Sequence, residues 1–317
     1  MKKFTHAWIA FKAIERLKNA ALNDTNRNYA DFLINWFENH KDGVIRGAWY
    51  PDTVIVDNSC SHIMKYKPDT NAPVREFGKL PRPSLLYQHF KDDPRQDMGF
   101  SIDPKYNLPE RCEAFSHSII DNFKIQNREE KGSALSPTDH HIALLIFMLS
   151  HYIADAHMPL HCDDRPGTLN KFNLHAAIEK KWDVEVVKYY AIDRPNQRFL
   201  YDPAGFPLLV SDATYPQSIL KSVDDELAQR HFQVGYGAGN DNVLEYMHSI
   251  SRYTYLLSYA YLPEGFTLNQ LDHNTLQVPQ GMPFREMSLI SLADAVDAVA
   301  RIWLHDVRRF IRWEREN

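Results

Sequence analysis

Residues 136–161 read SPTDHHIALLIFMLSHYIADAHMPLH. The middle of this segment, IALLIFML, is apolar on every side of a 3.6-residue helix, and a helix without a polar face belongs inside a bundle. Its start is signalled by Ser136 as N-cap, Pro137 at the first helical position and Asp139 in the first turn, where the helix dipole favours negative charge. Pro159 predicts its end or a bend, since proline has no N–H to donate and clashes with the preceding turn.

The same period continues on both sides. Phe4, Trp8, Phe11, Ile14 and Leu17 give a first helix one apolar stripe, and Tyr29, Phe32, Leu33, Trp36 and Phe37 give a second. Downstream, NLHAAIEKKWDVEVVKYY, residues 214–232 and residues 240–261 read as helices. A last one runs from about Met287 to Arg312, striped by Leu289, Leu292, Val296, Val299, Trp303, Val307 and Phe310. Residues 42–110 are rich in Pro, Asp and Asn and predict a long irregular segment, the kind that often carries function. Strand-like alternation is scarce, and neither repeats nor a low-complexity linker interrupt the chain. The expectation is an all-α, multi-helix bundle with residues 1–317 as a single domain.

Composition narrows the partners. Of 317 residues, 44% are hydrophobic and 24% charged, as in ordinary globular proteins. The net charge is −5, and no block of Lys or Arg offers an extended nucleic-acid-binding surface. Cys60, Cys112 and Cys162 are isolated, which suggests free thiols. The opening MKKFTHAWIAFKAIERL is too interrupted by charge to be an export signal, and no run approaches the roughly 20 apolar residues of a transmembrane helix. A cytoplasmic enzyme is expected, unless a signal was removed upstream.

The chemistry concentrates after the apolar segment. His151 and Asp155 lie four residues apart, on one helical face, so both can ligate a common metal. The spacing recurs at His175 and Glu179, and Pro159 allows His161 to turn back toward the site. Asp155 falls at the C-terminal end of its helix, where the dipole disfavours a carboxylate; a divalent cation would reverse that cost. Nitrogen and carboxylate donors without thiols suit zinc, with manganese or iron as alternatives. His140, His141 and His157 are background, and Asp163, Asp164 and Arg165 read as a turn.

The order HxxxDxxxxxH then HxxxE, at His151, Asp155, His161, His175 and Glu179, resembles the zinc-dependent phospholipase C and S1/P1 nuclease superfamily. DAHMPLH is similar to its DxxQPLH string, with Met158 in the Gln place. AWYPD ending at Asp52, SHIMKY containing His62 and FTHAWIAFKAI containing His6 resemble its earlier ligand segments. The likeness covers roughly residues 1–185 in order. It implies an all-α bundle holding about two to three zinc ions. One would lie on Asp52, His62, His151 and Asp155, a second on His161, His175 and Glu179, and a third on His6 with bridging Asp155. The third would be closed by the amine and carbonyl of Met1, or by water, or left weak or empty. Trp182 and Asp183 supply the nuclease branch's WD, but Glu179 shares a face with His175 and is the preferred ligand.

The implied activity is phosphate-ester hydrolysis, with zinc-bound hydroxide attacking phosphorus and Asp52 also orienting the water or acting as base. The HxxxE ending favours a phospholipase C-like phosphodiesterase, and Ile63 after His62 lacks the aromatic ring that a nuclease often places there. Tyr50, Tyr66 and Tyr87 could line an approach for a phospholipid. The alternatives are a single-strand nuclease or nucleotidase acting on nucleotides, and a metal-stabilised binding protein without turnover.

Overall fold

The computed structural model describes residues 1–41, 43–68, 100–165, 171–236, 242–262, 266–268, 271 and 284–317. Its helices are α1 (Lys3–Asn19), α2 (Asp24–His40), α3 (Gly43–Gly47), α4 (Tyr50–Thr53), α5 (Leu108–Arg128), α6 (Asp139–Asp155), α7 (Pro159–Cys162), α8 (Lys171–Tyr189), α9 (Ile219–Gln229), α10 (Val243–Tyr261) and α11 (Phe284–Glu316). Extended chain among the described residues is confined to two small antiparallel ribbons. One pairs β1 (Tyr66–Pro68) with β2 (Phe100–Ile102), and the other pairs β3 (Ile192–Asp193) with β4 (Arg198–Phe199). The fold is all-α.

The apolar segment is α6, buried through its second half up to Asp155. Its N-cap is Thr138 rather than Ser136: the Thr138 hydroxyl accepts the His141 N–H at 3.2 Å, and Thr138 itself is extended at φ −80° and ψ 153°. An extended Thr138 puts Pro137 before the helix instead of at its first position. Pro159 opens the separate short helix α7, at whose start no N–H is needed.

α1 departs from the single stripe expected of it. Between its apolar side chains stand Thr5, Ala7, Ala10 and Ala13, also buried, because α2, α3, α6, α8 and α11 pack around it. Small residues let those neighbours approach on faces that hydrophobicity alone leaves unassigned. α11 spans 33 residues and lies against α1, α2, α5, α6, α9 and α10. The expected helix over 214–232 is shorter, a 3₁₀ turn at Tyr215–Gln217 followed by α9, whose start is capped by the Ser218 hydroxyl. The expected helix over 240–261 begins at Val243, capped by Asn242.

Within the segment expected to be irregular, α3 and α4 cross α6 at close range. A Cβ on Gly47 would run into the Phe147 side chain, so glycine is what lets the two backbones approach. Tyr66 is fully buried and lines no approach surface, whereas Tyr87 lies outside the described residues. The three cysteines are unpaired, Cys112 and Cys162 being buried. Among the described residues no helix is long and apolar enough to cross a membrane.

Candidate metal centre

Six elements converge on one buried point. α1 contributes His6, α4 Asp52, the 3₁₀ turn at Ser59–His62 contributes His62, α6 His151 and Asp155, α7 His161, and α8 His175 and Glu179. Their donor atoms form three groups able to hold an ion, the first two sharing His151: His6 with His151 and Asp155, Asp52 with His62 and His151, and His161 with His175 and Glu179.

The first shared feature is Asp155, the last residue of α6. Its Oδ2 lies 2.9 Å from His62 Nδ1 and 3.1 Å from His151 Nε2. Its Oδ1 lies 3.0 Å from the Met1 nitrogen and 3.5 Å from both His6 Nε2 and His161 Nδ1. One carboxylate thus faces ligand sets on two sides. His151 Nε2 is 3.2 Å from His62 Nδ1 and 3.5 Å from Asp52 Oδ1. In the neighbouring group, His175 Nε2 sits 2.8 Å from His161 Nε2 and 2.7 Å from Glu179 Oε1.

These spacings fit a metal. Four donors around zinc at about 2.0–2.1 Å stand roughly 3.3 Å from one another. Moreover, neither ring nitrogen of buried His6 has a hydrogen-bond partner, nor does His161 Nδ1. Buried donors without partners carry a desolvation cost that a cation would remove. No thiol joins the set: Cys162 is next to His161 in sequence, but its Sγ faces the Ala156 carbonyl.

Burial divides the imidazoles. It pushes His161 down to about 4 and His6 well below the ordinary histidine range, which keeps their lone pairs free at neutral pH. Burial also opposes charge on His151, but the Asp155 and Asp52 carboxylates outweigh it and lift the group to about 9. For Asp155 burial disfavours ionisation, yet the Met1 ammonium, His151 and His161 hold it well below the usual carboxylate range. The Met1 amine, 2.7 Å from Glu179 Oε1, is raised to about 11: burial works against its charge, and Asp155 and Glu179 outweigh burial.

Backbone and neighbouring side chains hold the rings. His151 Nδ1 is 2.8 Å from the Ala48 carbonyl, and a carbonyl only accepts, so the proton is on Nδ1 and Nε2 is directed at the cluster. His62 packs against the Tyr152 ring, whose hydroxyl donates to Asp57, itself paired with Arg111. Asp183 stands outside the cluster; its Oδ1 accepts the backbone N–H groups of Phe4 and Thr5 at 2.9 and 3.0 Å and caps the start of α1. Ala48, Asp57 and the capping role of Asp183 were missed in the sequence. A WD pair marks Asp183, but nothing local marks a carbonyl or a long-range cap.

Access is uneven. The Asp52 side chain is 39% exposed and that of His175 31%, whereas His6, His151 and Asp155 are shut away. The residues read as background stay outside: His157 Nδ1 donates to the Ile153 carbonyl at 2.8 Å, and His140 and His141 are exposed. Asp163 and Arg165 form a buried ion pair tied to Ser258. Asp306 of α11 is bonded to Ser116.

No family model matches the chain, and no curated protein matches it in sequence. Among solved structures it is similar to the alpha-toxin of Clostridium perfringens from an avian strain, at 14% identity and a TM-score of 0.46 over 96% of this chain and 63% of that one. It is also similar to the alpha toxin of Clostridium absonum, at 12% identity and a TM-score of 0.49 over 97% of this chain and 65% of that one. The chain therefore spans less than two thirds of either toxin, and likeness at this level says nothing of chemistry, which rests on the side chains above.

Proposed function

We propose that the chain is a zinc-dependent phosphate-ester hydrolase, a phospholipase C-like phosphodiesterase holding about two to three ions. The observation that carries this reading is the convergence of eight nitrogen and carboxylate side chains, with buried ring nitrogens of His6 and His161 left without hydrogen-bond partners, on one point. Asp52, His62, His151 and Asp155 would hold one ion; His161, His175 and Glu179 a second; His6, Asp155 and the Met1 amine a third. Zinc bound there would polarise the phosphoryl oxygens and lower the pKa of a water toward about 7.

The chain's own residues supply the rest. Ala48 fixes the His151 ring so that Nε2 faces the cluster. Asp155, buried and held ionised, presents one oxygen to each side. Asp52 is the exposed carboxylate of its group, so it can orient the attacking water and accept its proton at the open side. His161, His175 and Glu179 form a three-residue donor set, the number found in catalytic rather than structural zinc sites. The HxxxE pattern and Ile63 after His62 favour a phospholipid-type diester over a nucleotide.

The test is hydrolysis of p-nitrophenyl phosphocholine by chelator-free protein. Turnover that is abolished by chelation, restored by zinc and reduced about 100-fold or more in Asp52→Asn supports the reading. A fully metallated protein that leaves this diester and a phospholipid vesicle untouched contradicts it.

A further inference from the structure

A cleft of about 900 Å³ opens beside the cluster, walled by the start of α1, the α3–α4 segment, the start of α6 and the turn joining β3 to β4. Lys3, His40, Arg46, His140 and Arg198 all line it, and none of its described lining residues is a carboxylate. That bias is notable in a chain whose net charge is −5. The acids nearest these groups are not part of the lining: Asp193 accepts from Arg198 Nε at 3.2 Å, and the charges of Asp139 and Asp183 act on His40 and Lys3. Arg46 and Arg198 are exposed, which leaves the Arg46 guanidinium and the Nη groups of Arg198 to a ligand.

The wall adds an aromatic surface. Trp49 lines the cleft, with Lys3 Nζ 4.1 Å over its ring, which holds that ammonium in place on a partly dehydrated face. Leu144 of the lining precedes His151 by seven residues and shares its face of α6, which places the cleft roughly 10 Å along the helix axis from the metal-ligating side chains. On the other side Thr53 lines the cleft immediately after Asp52.

We propose that this cleft binds a phosphate-bearing anion outside the metal-ligating cluster, through Arg46 and Arg198. Guanidinium forks pair with phosphate oxygens two at a time, and a wall of five basic side chains, of which Arg198 shares only its Nε with Asp193, favours a multiply charged group over a neutral one. The phosphate belongs either to a separate small ligand or to a second phosphate on an extended substrate. The site does not depend on the hydrolase reading, because binding is measured without turnover.

The probe is inorganic tripolyphosphate, titrated calorimetrically into full-length protein, with zinc content measured before and after. Wild type is expected to bind, and Arg46→Ser/Arg198→Ser to bind roughly tenfold or more weakly at unchanged zinc content. Both arginines are exposed, so the variant is expected to fold, which circular dichroism checks. Equal affinity in the two proteins overturns the proposal, since the anion then goes elsewhere. Kinetics with phosphatidylinositol and its ring-phosphorylated form distinguish the two sources. A KM raised only for the phosphorylated lipid assigns the site to substrate; lost tripolyphosphate binding with both KM values unchanged assigns it to a separate ligand.

Discussion

Asp183 Oδ1 accepts the Phe4 backbone N–H at 2.9 Å, so a side chain of α8 caps the first turn of α1. The bond to Thr5 at 3.0 Å completes the cap. Together they fix the segment that carries the Met1 nitrogen and His6 into the cluster. Asp183→Ala is expected to destabilise the fold by about 0.5–2 kcal/mol and to lower metal content. Asp183→Asn keeps an acceptor oxygen and is expected to retain most of both. Urea denaturation with elemental analysis checks this; an alanine variant equal to wild type in both would refute the positioning role.

Gly47 meets Phe147 so closely that no side chain fits between α3 and α6. Gly47→Ala is therefore expected to cost about 1–3 kcal/mol, as overpacked interiors do. It should also draw the Ala48 carbonyl away from His151 Nδ1, loosening a ring held at 2.8 Å. The denaturation midpoint reads the first effect, and zinc affinity the second. A neutral substitution would mean that the two helices slide apart freely.

Much of this fold could be read from local pattern, and the exceptions share a physical cause. α6 was legible because eight successive apolar residues leave a helix no surface position. His151 with Asp155, and His175 with Glu179, were legible because a four-residue spacing brings side chains onto one helical face. His161 followed from the bend that Pro159 introduces, whereas His6, Asp52 and His62 have no such local mark and came from family resemblance. The full burial of α1 was hidden because Thr5, Ala7, Ala10 and Ala13 pack by virtue of size, not hydrophobicity. Thr138 displaced Ser136 as the cap because both are competent hydroxyls, and only the tertiary path of the chain selects between them. The Ala48 carbonyl is invisible for a simpler reason: every residue has one.

Asp306 makes stability depend on pH away from the cluster. Burial costs its charged form so much that the group rises from 3.8 to about 7, although the Ser116 hydroxyl donates to it at 2.5 Å. The folded protein thus holds this proton more tightly than the unfolded chain does. The contribution is fully present below pH 3.8 and is lost as pH rises through about 7. Asp306→Asn, neutral throughout, is expected to remove this loss, on the order of a few kcal/mol. Urea midpoints at about pH 5 and about pH 8 check it: wild type should weaken more than the variant between them. Parallel pH profiles would show that Asp306 does not titrate in this range.

The most direct measurement is zinc stoichiometry by elemental analysis of chelator-free protein, in wild type and Asp155→Asn, with and without an N-terminal extension. About two to three ions per chain are expected in wild type and at most about one in Asp155→Asn, whose bridging carboxylate is gone. The extension, by blocking the Met1 amine, is expected to remove one ion. Wild type without stoichiometric metal would contradict the metal centre itself, and unchanged content on extension would remove Met1 from it.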